Sequence, residues 1–412
     1  MNNAFEVVLI QILQRGEGIM HFGILVVEGP CSLMASRLQG WFDKQVQEIL
    51  APSGETLTII NAGQHKEVER FDRWLCVVNC DGHVDREESS IHGAAIGLAK
   101  RTGVPIFPVV SDLTNFGDLA PPYLSTFNGF QHTLGEPLDE LGNLLLENME
   151  LLPSKRKIFI SYARHESRAI ALQLQQRLAA RWYQAFLDTH TIRPGTNFQE
   201  TLMQELSDSD LVILLDSPDI KNRPWVLEEI AFADRACLGT LQVVWPGHRR
   251  TIGAGFSEPL FLQEYGETPF LNPEALPKDQ CLRPKILDDI ISLVAHQRAS
   301  AFRNREARMV DSVVKSVQTL GWNAVKHSGR YLALTKNEKL IPMETVLGLP
   351  DALRIQHAVE RHHGCHLEKL PLLYDSQAIT NAMADHLSFL EEGLGNIALI
   401  SPQEVSPWIG QI

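Results

Sequence analysis

The chain lacks any apolar run long enough to cross a bilayer. The N-terminal stretch FEVVLIQIL carries Glu6, has no basic flank and is too short to span. It reads as an amphipathic helix and not as a signal, so no membrane partner is expected. Cysteines are few and scattered: Cys31, Cys76, Cys80, Cys237, Cys281 and Cys365 make no regular disulfide framework. Several sit in apolar runs, as buried thiols do, and a reducing cytoplasm fits best. Basic residues are outnumbered, 37 Lys and Arg against 50 Asp and Glu, for a formal net charge of −13. That balance disfavours a general nucleic-acid surface, although a local basic run, His248-Arg249-Arg250, is present. A glycine-rich phosphate-binding fingerprint is also missing, which argues against a dinucleotide-dependent dehydrogenase.

What is present is ordinary globular material, 44% hydrophobic and 21% charged. At about 150 residues per domain, the 412 residues suggest three domains. The boundaries are read at 1–150, 155–298 and 304–412. Strand and helix patterns alternate most clearly in the central stretch. Ile158, Phe159 and Ile160 have the composition of a buried parallel strand, and a helix follows with Ile170, Leu174 and Leu178 spaced four apart. YQAFLD then ends at Asp188, before the loop THTIRPGTN with Pro194-Gly195 as turn chemistry. A helix on Phe198, Leu202 and Leu206, the strand LVILLD, a helix near Trp225 and the strand LQVVW complete the set. This pattern predicts a doubly wound parallel α/β sheet, flavodoxin-like in class, whose ligand site lies just past the carboxyl ends of the strands.

The blocks FISYARHES, FLDTHTIRPG, SDLVILLDSP and WVLEEI, in this order and spacing, resemble the Toll/interleukin-1 receptor (TIR) domain family. The resemblance covers about a third of the chain. It implies self-association through the loop after FLD, and, at Trp225-x-x-x-Glu229-Ile230, the segment that carries the catalytic glutamate of NAD-cleaving members. Glu229 is thus the expected catalytic residue, with NAD as substrate and no further cofactor. Glu228, about 100° around the helix, cannot share a face with Trp225 as Glu229 does. Tyr162 and Arg164 stand where an aromatic ring and a phosphate would be met. Ser217 and Trp225 are expected at the pocket, and Asp188 and His190 at its border or in the association loop. The same resemblance admits a non-catalytic assembly module, and in prokaryotes it implies an anti-phage or cell-death role.

The flanks repeat the strand–helix logic. FGILVV, LTII, WLCVVNC and VPIFPVV frame an N-terminal α/β unit, read as TIR-like or nucleotide-binding. SIHGAAIGLAKRTGVPIF resembles the helix-to-strand step of nucleoside-transferase folds. His92 stands near where an acid would be expected, so the unit is read as a degenerate sensor or scaffold, open to a nucleotide or protein activator. Cys76, Cys80, His83 and His92 lack a usual zinc spacing, and core thiols with surface histidines is the preferred reading. His357, His362, His363, Cys365 and His366 crowd one helix end, where imidazoles are favoured electrostatically without any metal. No metal site is therefore expected. The C-terminal unit alternates again through YLALT, DALRIQHAVERHH, LPLLYD and IALIS.

Overall fold

The computed structural model describes residues 21–30, 32–49, 56–187, 198–236, 238–251, 257–266, 268–328, 331–337, 339–347, 350–361, 369–375, 379 and 381–411. These form two compact units, one from Ile19 to Ser154 and one from Lys155 onward.

The first unit is a parallel sheet of β1 (His21–Val27), β2 (Thr56–Asn61), β3 (Arg73–Asn79), β4 (Ile106–Val110) and the two-residue β5 (Phe130–Gln131), in the order β2-β1-β3-β4-β5. Its longer helices are α1 (Met34–Ile49), α2 (Ile91–Thr102) and α3 (Asp139–Asn148). Ser90 caps α2 by accepting from the Gly93 N–H, and Gly103 ends it at φ 71° in the left-handed region.

The second unit opens with another parallel sheet: β6 (Arg156–Tyr162), β7 (Tyr183–Leu187), β8 (Leu211–Asp216), β9 (Gly239–Val244) and β10 (Ser257–Phe261), ordered β10-β9-β8-β6-β7. Counted from its own first strand, this is the same 2-1-3-4-5 order as the first sheet, the flavodoxin-like one. Every residue of β8 is buried, which its unbroken apolar run requires at the centre of a sheet covered on both faces. On one face α4 (Arg164–Ala179) and the first half of α7 (Pro284–Gln318) pack on Ile158, Ile160, Ile213 and Val243. On the other, α5 (Phe198–Ser207) and α6 (Pro224–Arg235) cover Phe159, Val212 and Leu214.

Across the expected boundary between residues 298 and 304 runs the single 35-residue helix α7. It buries Ile286, Ile290 and Val294 early and Met309, Val313 and Val317 late, so one element serves two sheets. At Gly239 it lies close against β9. A Cβ there would stand 2.5 Å from the Ala301 Cβ and 2.7 Å from the Leu211 Cδ1. Gly239→Ala is expected to cost about 1–3 kcal/mol by overpacking, seen as a lowered denaturant midpoint. An unmoved midpoint would show that the helix yields there.

The last sheet departs from plain alternation. Its order is β11-β12-β13-β14-β15, from Asn323–Ser328, Tyr331–Lys336, Lys339–Val346, Leu370–Tyr374 and Ile397–Ile400. The first three strands form an antiparallel meander, and only the last two pairings are parallel. Asn337, at φ 45°, opens the tight turn between β12 and β13. Pro342 inside β13 masks that strand in the sequence, because proline is usually confined to edges. Helices α8 (Ala352–Arg361) and α9 (Asn381–Leu394) make the two parallel crossovers.

Candidate functional site

In a doubly wound sheet the crevice opens outside the carboxyl ends of the strands where the strand order reverses. In the central sheet that point lies between β6 and β8. Helix α6 begins on Pro224, at a position whose missing N–H is no loss. Its inward residues are Val226, Glu229, Ile230 and Ala233, the three-and-four spacing of a buried face. Three of these are apolar and the fourth is a carboxylate only 1% exposed. Burying a charge on such a face is costly unless it is hydrogen-bonded. Here the Ser161 hydroxyl, itself fully buried, donates to Glu229 Oε2 at 2.5 Å. Glu229 thus faces the polar end of β6, whereas Glu228 is on the exposed side of the helix.

A cleft of about 320 Å³ opens at the same end, lined by Arg164, His165, Arg223 and Trp225. Arg164 and His165 are the first residues of α4, and Arg223 and Trp225 flank the start of α6. Neither helix start carries a side-chain cap, although Glu166 stands in the first turn of α4. The Arg223 guanidinium lies 5.5 Å from the centre of the Trp225 ring and donates from Nε to Asp219 at 3.0 Å. Hydrogen bonds from Asn222 and Arg223 hold the Asp219 carboxyl below the usual carboxylate range. The Asp219 N–H in turn donates to Glu166 at 2.7 Å, tying the loop after β8 to the first turn of α4. Two guanidinium groups, an imidazole and an indole suit a ligand that is anionic and carries flat rings.

The neighbouring strand ends are locked from beneath. Asp216, fully buried, accepts from Gln242 Nε2 at 2.7 Å, from the Thr251 N–H at 2.8 Å and from Thr251 Oγ1 at 2.7 Å. His248 Nε2 lies 3.1 Å from Oδ1, the oxygen that also accepts from Thr251 Oγ1. Gln242 also accepts from Arg250 Nε at 2.5 Å. This carboxylate pins the basic run His248-Arg249-Arg250 to the ends of β8 and β9.

Of the residues expected from the sequence, Arg164 and Trp225 line the cleft, and Trp225 is 38% exposed there. Ser217 directly follows β8, and its buried hydroxyl has no hydrogen-bond partner among the described residues. Tyr162 is not at the cleft. Alternation along β6 sends it, with Ile158 and Ile160, into the core beneath α4 and α7, on the face opposite Glu229. Asp188 and His190 lie outside the described residues. Sequence reasoning gave no role to His165, Arg223 or Ser161. The arginine preceding a helix-opening proline was the available signal for Arg223.

Among the described residues no group of three or more His, Cys, Asp or Glu side chains is placed to hold a metal. His362, His363, Cys365 and His366, and the side chain of His357, lie outside the described residues, as do Cys31 and Cys237. Cys76 and Cys80 are core thiols of the first unit. Burial raises both, Cys80 to about 12, so each stays protonated at neutral and mildly alkaline pH. Alkylation by iodoacetamide at pH 8 is expected to spare both until denaturant is added. Rapid labelling of the native protein at either position would contradict this burial.

The first sheet treats its own reversal point differently. Glu28, just past β1, accepts from the N–H groups of Met34 and Ala35 at 2.8 and 3.2 Å, and from the Ser32 hydroxyl. A carboxylate of the protein therefore caps the start of α1, whereas the cap position of α4 is Ala163, which makes no side-chain hydrogen bond. His92 Nδ1 accepts from the Asp85 N–H at 3.0 Å, and Glu87 and Glu88 are exposed. No counterpart of the buried Glu229 stands at that helix start.

The central sheet thus defines a flavodoxin-like domain with a buried carboxylate and a cationic cleft at its ligand edge. Residues 158–246 match the family model described as TIR domain, and the chain contains a TIR domain over that span. No curated protein matches the chain.

Proposed function

We propose that the TIR domain cleaves NAD at the bond between nicotinamide and ribose. The observation that carries this reading is the buried carboxylate of Glu229, hydrogen-bonded by Ser161 and one helical turn along α6 from Trp225, which lines the cleft with Arg164, His165 and Arg223. In the reaction the C1′–N bond breaks and its electron pair leaves with neutral nicotinamide, so no strong acid is needed. The ribose carbon is left with oxocarbenium character, which a carboxylate beneath the sugar stabilises. Water then attacks C1′ and loses a proton, giving ADP-ribose. An adenine nitrogen attacking instead would give a cyclic product. The arginines and the uncapped helix starts suit the pyrophosphate, and Trp225 suits a ring.

One feature favours a second reading, a non-catalytic assembly module: Glu229 is 1% exposed. On the enzymatic reading the ribose reaches it only after neighbouring groups move, and self-association of TIR domains is the step that completes the site. A role in prokaryotic immune or cell-death signalling accords with either reading. The test is nicotinamide release from NAD by the full chain and by its Glu229→Gln variant. Release by the first alone supports cleavage, and equal release by both removes Glu229 from the mechanism. Among the described residues no helix is long and apolar enough to cross a membrane.

A further inference from the structure

We infer that Ser161 is the positioning residue for Glu229, aiming the carboxylate by donating its hydroxyl hydrogen to Oε2; the role rests on the NAD-cleaving reading above. The geometry is specific to one face of one strand. Residues of β6 alternate, so Phe159 and Ser161, with Ala163 just past the strand, face α5 and α6 while Ile158, Ile160 and Tyr162 face α4 and α7. Phe159 and Ala163 fill that face with hydrocarbon, and Ser161 alone among these three offers a donor. The Glu229 side chain leaves α6 between Val226 and Ile230, both in the apolar cluster with Ala163 and Leu214. In that setting a 2.5 Å bond from a fully buried hydroxyl restrains the direction of the carboxylate.

Two consequences follow for catalysis. The bond restrains the side-chain torsions of Glu229, so the oxygen not facing Ser161 is held in a set orientation for the sugar. It also favours the ionised carboxylate, the form that meets an oxocarbenium ion. Ser161 itself touches no substrate atom in this scheme and acts through Glu229. Its loss therefore affects turnover more than substrate binding, which the cleft residues carry.

The test uses the full chain and compares wild type with Ser161→Ala and Ser161→Thr. Ser161→Ala is expected to lower kcat about tenfold, to leave KM within about twofold, and to move the acid limb of the pH–rate profile upward by about one pH unit. Ser161→Thr keeps the hydroxyl and is expected to keep the wild-type acid limb, even where its extra methyl lowers stability. A loss carried by KM, an unmoved acid limb in Ser161→Ala, or equal shifts in both variants would overturn the proposal. A readout independent of turnover is carbon-13 NMR of glutamate-labelled protein, with the Glu229 carboxyl assigned by its disappearance in Glu229→Gln. Its titration is expected to move upward in Ser161→Ala only, and an unmoved resonance overturns the coupling. A wild-type chain that releases no nicotinamide defeats the NAD reading, and the NMR titration then decides the Ser161–Glu229 contact separately.

Discussion

Glu229→Gln is expected to reduce nicotinamide release from NAD by at least about a hundredfold, the scale of removing one group that stabilises transition-state charge. The substitution changes little else. Glutamine has nearly the volume of glutamate, so the packing of α6 against β6 is kept, and its carbonyl oxygen can still accept from Ser161. What disappears is the negative charge, which matters only once the ribose becomes cationic. The loss should therefore fall on kcat, with KM close to that of wild type. Near-ultraviolet circular dichroism of the variant should match wild type and show that the fold is intact. A variant with wild-type turnover would leave Glu229 as a buried structural acid and the domain as an assembly module.

Replacing Arg298 should have the largest effect on stability. Its side chain is 0% exposed, with Nε 2.7 Å from Asp210 Oδ2 and a terminal nitrogen 3.1 Å from the Lys155 carbonyl. Lys155 and Asp210 directly precede β6 and β8, so this arginine of α7 ties the helix to the amino-terminal edge of the sheet, opposite the cleft. Arg298→Met leaves the Asp210 carboxylate, 11% exposed, without its charge partner. The expected loss is about 3–5 kcal/mol, the usual cost of breaking a buried pair from one side. Adding Asp210→Leu should recover much of it, because two apolar groups leave no stranded charge. Since α7 also packs under the last sheet, both sheets are expected to unfold in one transition, with fluorescence and circular dichroism coincident. A loss below about 1 kcal/mol, or two separate transitions, would contradict this account.

Much of the fold was legible because its signals are local. An unbroken apolar run such as LVILLD announces a strand covered on both faces, and the four-residue spacing of Ile170, Leu174 and Leu178 announces a helix lying on it. The meander at β11–β13 was missed for a local reason too, since Pro342 and the polar residues of NAVKHS blur the two-residue period. The continuity of α7 was hidden differently. Its second half buries Arg303 and Glu306, which pair at 2.8 Å, so a charged sequence that reads as an exposed connector is in fact interior.

The site divides along the same line. Order and spacing of motifs along the chain were enough to determine the sheet class and to separate Glu229 from Glu228 on the faces of α6, of which the structure buries the first and exposes the second, because helical spacing is a property of one element. Only the tertiary structure decided which face of β6 meets α6, and so that Ser161 and not Tyr162 stands by the carboxylate. Alternation tells that neighbours on a strand point opposite ways, but what covers each face depends on elements far away in sequence. The pairing of Arg164 and His165 with Arg223 and Trp225 was likewise settled in three dimensions, where two helix starts separated by some sixty residues open on one cleft.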